Sequence, residues 1–272
     1  MSRCYLMCPP EYFDVAYVIN PWMQGNMRNI DNQLAKAQWR ALYDKVHRHA
    51  RVRLMHPEPS SPDMVFTANA GLVLGRKFIV SRFRHAERQS EEPYFTEWFT
   101  EHDFDVSVGP LDVHFEGAGD ALFDRGIPVL WLAHGHRSVL EAQTFIAANM
   151  TALANIEIVG LELVDERFYH LDTCFCPLEG GYLLYYPNAF TEASLAAIEA
   201  RVPEKRRIVC GDTDAEAFAC NAVNIGKTVI VNAATDAFVA ALGKHGFAVE
   251  TSPLSEFMKA GGSAKCLTLD IT

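Results

Sequence analysis

The chain has 272 residues, of which 49% are apolar, 21% charged and 11% aromatic; this is the composition of a globular protein with a large core and excludes disorder, collagen and coiled coil. Its 34 acidic and 24 basic residues leave a formal charge of −10 without any basic run, so neither nucleic acid nor an anionic membrane is an expected partner. No apolar stretch reaches the roughly 18 residues that span a bilayer, the first fifteen residues lack a signal-peptide pattern, and seven cysteines are too few for a disulfide scaffold; a cytoplasmic protein with reduced thiols is expected.

Taken in chain order, the sequence opens on a strand pattern at residues 3–9. A helical pattern follows at 32–50, with Leu34, Ala37, Trp39, Leu42 and Val46 at roughly helical spacing, and then a strand at 52–57. From residue 70 a unit of strand, turn, strand, helix, strand recurs. Its first copy has strands at 70–75 and 76–83 broken by Gly75, a helix at 91–103 and a strand at 105–109. The second copy runs through 120–132, a helix at 141–153 and a strand at 156–164. The third uses Gly180 and Gly181 at its turn, a helix starting near Thr191 to Ser194, and a strand at 206–211. The fourth runs from 222 to 254, with Gly246 read as a helix C-cap. Residues 266–272 are again strand-like and complete a fifth copy with the N-terminal elements. The expectation is an α/β ring of five pseudo-symmetric ββαβ units in one domain, 1–272, closed by the two termini.

Polar residues mark the starts of these repeats. Asn69 lies in VFTANAG, Glu116 in FEGAGD, His170 in HLDT and Cys266 in GGSAKCLT, separated by 47, 54 and 96 residues, the last interval covering two repeats. Equivalent positions in a closed ring face one axis, so these four side chains are expected around one pocket. A Cys and a His there supply a nucleophile and a general acid/base. The carboxylates Glu116, Asp120 and Asp172 suit a cation rich in N–H donors, such as a planar guanidinium, whose carbon stays open to face-on attack.

These motifs, in this order and at this spacing, resemble the pentein superfamily of guanidine-modifying enzymes, which includes arginine deiminase, dimethylarginine dimethylaminohydrolase, amidinotransferase and arginine dihydrolase. The resemblance covers most of the chain and implies a five-bladed α/β propeller. It also implies Cys266 as nucleophile, His170 as acid/base, Glu116 and Asp172 as guanidinium-binding carboxylates, and Arg88 as the cation for a substrate carboxylate. Deiminases carry aspartate where this chain has Asn69; that asparagine, with Asn20 in YVINPWM, is more similar to the arginine dihydrolase branch, which takes arginine to ornithine, carbon dioxide and ammonia. FEGAGD has one residue more than the family's EGGD, which leaves the carry-over to Asp120 open. The resemblance implies no metal or organic cofactor, a small-molecule partner in arginine or a guanidine analogue, and compatibility with a homo-oligomer.

Simpler readings stand beside these. Cys4, Cys8, Cys174, Cys176, Cys210 and Cys220 read as buried structural thiols. His134 and His136 lack a third ligand at a metal-binding spacing, Gly117 and Gly119 lack the lysine of a phosphate loop, and the charged stretch around Arg88 also reads as a solvated loop. A non-catalytic binding protein of the same fold is the alternative from a different class.

Overall fold

Among the described residues fifteen strands assemble into five separate three-stranded sheets, each built the same way. The computed structural model describes residues 3–272, apart from the side chains of 150–154. In the first complete unit Gly71–Leu74 pairs antiparallel with Lys77–Val80, which pairs parallel with Asp105–Val108 after the helix Glu91–Glu101. The next unit joins Ala121–Phe123, Val129–His134 and Glu157–Glu162 around the helix Ala142–Ala154. The third joins Phe175–Leu178, Tyr182–Tyr185 and Arg207–Val209 around Glu192–Arg201; the fourth joins Val223–Ile225, Thr228–Val231 and Ala248–Thr251 around Asp236–Gly243. A hairpin needs only a tight turn, whereas the parallel third strand requires a helical crossover, so the element order of each unit follows from its pairing.

The fifth sheet is made by both ends of the chain. Leu269–Asp270 pairs antiparallel with Cys4–Met7, which pairs parallel with Arg51–Leu54 beyond the helix Asn32–His49. Arg3 locks the seam through Asp270 and Glu179. The expected strand at 266–272 is shorter than its pattern. The Leu267 N–H bonds the Ser263 carbonyl and the Thr268 N–H that of Lys265, so residues 263–268 coil into a turn and Cys266 precedes the strand.

The helix Asn32–His49 is capped by Asp31, whose side chain accepts from the N–H groups of Gln33 and Leu34. Its buried face is Ala35, Gln38, Trp39, Leu42 and Val46, while Leu34 and Ala37 of the expected stripe face solvent. Gln38 joins the buried face because its amide meets Ser255 Oγ at 2.8 Å and the Glu256 N–H at 3.0 Å. Burial of each large apolar side chain here is worth about 1.5–3 kcal/mol. Gly246, at φ +78°, lies in the turn beyond a helix that already ends at Gly243.

The sheets surround a central cavity of about 530 Å³ lined by Tyr5, Leu72, Leu122, Cys176 and Val223, one from each sheet. Apolar packing fills the spaces between sheets and helices, with Trp131 edge-on to Phe175 at 5.4 Å. All seven cysteines are free and buried. Among the described residues no helix is long and apolar enough to cross a membrane.

Candidate active site

The junction residues of the repeats converge at one end of the ring, each on a short irregular segment that leads into the antiparallel outer strand of its sheet. Asn69 lies in the 3-10 helix Thr67–Ala70, Glu116 directly precedes Gly117–Gly119, His170 caps Leu171–Thr173, and Cys266 sits in the turn before Leu269–Asp270. Gly119 permits the approach, since a Cβ there would stand 2.3 Å from Asn69 Nδ2 and 3.3 Å from His170 Cγ. The four side chains come from junctions 47, 54 and 96 residues apart and are all nearly inaccessible.

Cys266 Sγ faces the Asp172 carboxylate at 3.6 and 3.7 Å, and Asn221 Nδ2 lies 3.1 Å from the same sulfur. Burial, reinforced by Asp172, pushes the Cys266 thiol well above its ordinary value; the Ser263 backbone, Lys265 and Asn221 act against that. Burial also pushes Asp172 up to about 6, opposed by Lys265, Cys266 and Asn221. Without a ligand the pair is therefore a protonated thiol donating weakly to a carboxylate, a state that an incoming cation would reverse.

His170 Nε2 and Glu116 Oε2 are 2.7 Å apart, and Arg137 Nη1 donates to the same oxygen at 3.0 Å. The other Glu116 oxygen accepts the Arg84 N–H at 3.1 Å. Burial opposes ionisation of Glu116, but the Arg137 guanidinium and then His170 outweigh it and hold the carboxyl far below the usual range. Glu116 is thus a fixed anion that orients the imidazole.

Asp120 has a different setting. Its oxygens accept from Ser138 N–H and Oγ, at 3.3 and 2.6 Å, and from the Leu171 N–H at 3.1 Å. It ties the Glu116 and His170 segments together from behind, and burial pushes it up to about 6. The extra Ala118 of FEGAGD thus accompanies a carboxylate that points into the scaffold and does not line the pocket.

The pocket itself is nearly closed, about 10 Å³, and is lined by Asn20, Asn69, Arg88, His170 and Cys266 together with Asp63, Arg137 and Tyr169. Asn69 bridges two neighbours: its Nδ2 donates to the Glu116 carbonyl at 3.3 Å and its Oδ1 accepts from Arg88 Nη1 at 2.9 Å. Asn20 caps Pro21–Met23 by accepting the N–H groups of Trp22 and Met23 and donates to the Ala260 carbonyl at 3.0 Å. Arg88 is buried, so the solvated-loop reading of its segment does not hold; Glu91 takes its Nε and Nη2 at 2.7 and 2.8 Å.

Three side chains at the site escape the motifs. Arg137 donates to Glu116 and to the Ile19 carbonyl at 3.0 Å and lies over the Tyr169 ring. Asp63 receives the Tyr17 hydroxyl at 2.9 Å on one oxygen, while its other oxygen is buried with no partner among the described residues. Asn221 contacts the sulfur of Cys266. The interval of 96 residues between His170 and Cys266 is the one signal in the sequence for Asn221, because it spans a repeat whose junction residue had to lie between them. Among the described residues no cluster of His, Cys, Asp and Glu is arranged to hold a metal ion.

A family model described as N,N dimethylarginine dimethylhydrolase, eukaryotic, matches residues 13–272. The bifunctional arginine dihydrolase/ornithine cyclodeaminase ArgZ of Synechocystis is 53% identical over 267 residues, 98% of this chain and 37% of that protein. The chain therefore spans little more than a third of the length of this relative. The N(G),N(G)-dimethylarginine dimethylaminohydrolase of Mycobacterium tuberculosis is 40% identical over 273 residues, covering 99% of this chain and 86% of the relative. The substrate-bound crystal structure of the N-terminal domain of the cyanobacterial ArgZ, in a cysteine-to-serine variant, superposes with a TM-score of 0.97 at 52% identity, covering 99% of this chain and 98% of that one.

Proposed function

Because the chain belongs to the N,N-dimethylarginine dimethylhydrolase family, we propose that it is a cysteine-dependent hydrolase that takes arginine to ornithine, carbon dioxide and two ammonia. The observation that carries this reading is that Cys266 and His170 line one buried pocket while Asp172 and Glu116, behind its lining, contact the sulfur and the imidazole respectively. The choice of arginine and of the full hydrolysis is supported by Asn69 and by the similarity to a bifunctional arginine dihydrolase.

A guanidinium entering the pocket exchanges the weak S–H bond on Asp172 for charge-assisted N–H bonds. The unpartnered oxygen of Asp63 is an acceptor for the α-ammonium, and Arg88 is the cation for the α-carboxylate. A cavity of about 10 Å³ does not admit arginine, so its lining has to open as substrate enters; residues 19–23 supply one wall of it. That wall is pinned by Asn20 on Ala260, by Trp22 on the Arg167 carbonyl and by Arg137 on Ile19.

The guanidinium then stands beside Cys266 and favours its thiolate, the thiol proton passing to His170. The thiolate adds to the guanidinium carbon, and His170 returns the proton to the departing nitrogen, releasing ammonia and leaving an S-alkylthiouronium. His170 deprotonates a water that attacks this carbon; the C–S bond breaks, giving the ureido compound and the thiol. Repetition on the ureido carbon releases the second ammonia and leaves a thiocarbamate on Cys266; water cleaves its C–S bond, freeing the thiol and a carbamate that loses carbon dioxide to yield ornithine. Asn69 serves the second round because its amide can donate to a ureido oxygen, where an aspartate would only accept.

The family match and the mycobacterial relative favour a second reading, release of dimethylamine from dimethylarginine with citrulline as the end product. Parallel incubations with L-arginine and with dimethylarginine, analysed for ornithine, citrulline, ammonia and dimethylamine, separate the two. Ornithine with two ammonia from arginine supports the dihydrolase; inertness towards arginine with turnover of dimethylarginine replaces it.

A further inference from the structure

Four of the five repeat junctions carry Asn69, Glu116, His170 and Cys266. The remaining junction, ahead of the hairpin Val223–Ile225 and Thr228–Val231, carries Asn221, 51 residues after His170 and 45 before Cys266. Its side chain is fully buried, and every contact it makes joins the nucleophile segment to the Asp172 segment. Oδ1 accepts the backbone N–H groups of Lys265 at 2.9 Å and Cys266 at 3.1 Å. Nδ2 donates to the Asp172 carbonyl at 2.9 Å and to Cys266 Sγ at 3.1 Å.

We propose that Asn221 is a further catalytic residue, whose amide holds Cys266 Sγ in the pocket and stabilises its thiolate by direct N–H donation. This rests on the reading of Cys266 as the nucleophile. The chemistry favours an amide at this position. A thiol sulfur is a weak acceptor, whereas a thiolate accepting an N–H makes a charge-assisted bond, so the interaction strengthens as the sulfur ionises. It is directed at the reacting atom in a place where burial and the Asp172 carboxylate both disfavour a second negative charge. Aspartate would keep the acceptor for the two backbone N–H groups but turn an acceptor towards the sulfur. Leucine would keep the approximate shape and lose both functions.

That difference separates a chemical role from a structural one. Wild type, Asn221→Asp and Asn221→Leu are compared in their folded state by circular dichroism and in the pH midpoint of Cys266 alkylation by iodoacetamide. Trypsin cuts after Lys265, so the peptide that begins at Cys266 contains no other cysteine through residue 272 and reports this thiol alone by mass spectrometry. In folded Asn221→Asp the midpoint is expected to rise by about one pH unit or more, which corresponds to a roughly tenfold smaller thiolate fraction at a given pH below the midpoint. Asn221→Leu is expected to move it in the same direction. A folded variant whose midpoint equals that of wild type overturns the proposal, even if its turnover is lost, and leaves Asn221 a scaffold residue.

Should both variants unfold, wild type decides the matter by NMR. The side-chain amide resonances of Asn221 are expected to titrate with the alkylation midpoint of Cys266, and resonances that do not respond overturn the assignment. Neither readout uses a guanidine substrate. A wild type that is inert to arginine and dimethylarginine but shows the coupled titration would therefore remove the proposed reaction and retain the Asn221–Cys266 interaction.

Discussion

His170 Nε2 stands 2.7 Å from Glu116 Oε2, and Arg137 holds that same oxygen from the other side at 3.0 Å. The imidazole is therefore oriented by an anion that stays ionised, rather than by one that exchanges protons with it. Glu116→Gln keeps the shape but leaves Arg137 facing a neutral amide. Turnover of arginine is expected to fall at least ~10²-fold through loss of acid/base orientation. Thermal unfolding should show a loss of about 3–5 kcal/mol from the broken buried pair. Wild-type kinetics in a folded Glu116→Gln sample would remove the orienting role.

Cys266→Ala removes the only thiol lining the pocket among the described residues, while a buried alanine preserves the packing around it. The expected result is a folded protein with turnover reduced by at least ~10²-fold, since both covalent rounds require the thiol. Steady-state assay of ammonia, with circular dichroism as the control for folding, checks this. Undiminished ammonia release would place the nucleophile elsewhere.

Asp172 links stability and activity with opposite signs. Burial raises its carboxyl to about 6 from an ordinary 3.8, so the native state binds more protons than the unfolded chain between those values. Its contribution is then fully favourable below about pH 3.8 and is lost as the pH rises through about 6. Asp172→Asn is expected to stabilise the ligand-free protein at pH 7.5 by about 1–3 kcal/mol, a gain that fades towards pH 4. The same variant loses guanidinium affinity. In wild type kcat/KM should climb with pH through about 6 as the carboxylate forms. Denaturant titrations at the two pH values, set beside kinetics, test both halves; equal stability of variant and wild type at pH 7.5 would contradict a burdened carboxylate.

Asn69 donates to the Glu116 carbonyl and accepts from Arg88, two demands that an amide meets together. An aspartate would turn an acceptor against that carbonyl and against a ureido oxygen in the pocket. Asn69→Asp is expected to shift the product of arginine from ornithine with two ammonia towards citrulline with one. Chromatography after long incubation, with citrulline fed as a control, reads the ratio. Citrulline as the sole product of wild type would end the dihydrolase reading.

Asp63 faces Arg88 with one oxygen at 3.9 Å and keeps the other buried without a partner among the described residues. Burial raises this carboxyl, with Arg88 and Tyr17 acting against it. If that oxygen receives an α-ammonium, Asp63→Asn raises KM for arginine by about tenfold or more, while 5-guanidinopentanoate, which keeps the guanidinium and the carboxylate but lacks the α-amino group, gains no benefit from the native aspartate. A change in kcat alone, with KM unaltered, would assign Asp63 to the scaffold.

The repeat architecture was legible in the sequence because its signals are local. Alternation of period two, helical spacing and turn glycines act within a few residues, so Gly75, Gly180 and Gly181 mark hairpins that the structure contains. Repetition then implied the ring, and the ring brought Asn69, Glu116, His170 and Cys266 to one end of it. Tertiary structure alone decided which polar atoms face the pocket and which face the scaffold. Asp120 and Glu116 are four residues apart, yet Ser138 and Leu171 occupy the oxygens of the first while Arg137 and His170 polarise the second. Arg88 reads as a loop cation in its own segment, but Glu91 and Asn69 bury it. Gln38, a polar residue, lies on the buried helix face because Ser255 and Glu256 meet it there. In each case the partner comes from another turn or another blade, often across fifty residues or more, and a buried polar group goes wherever its hydrogen bonds are completed.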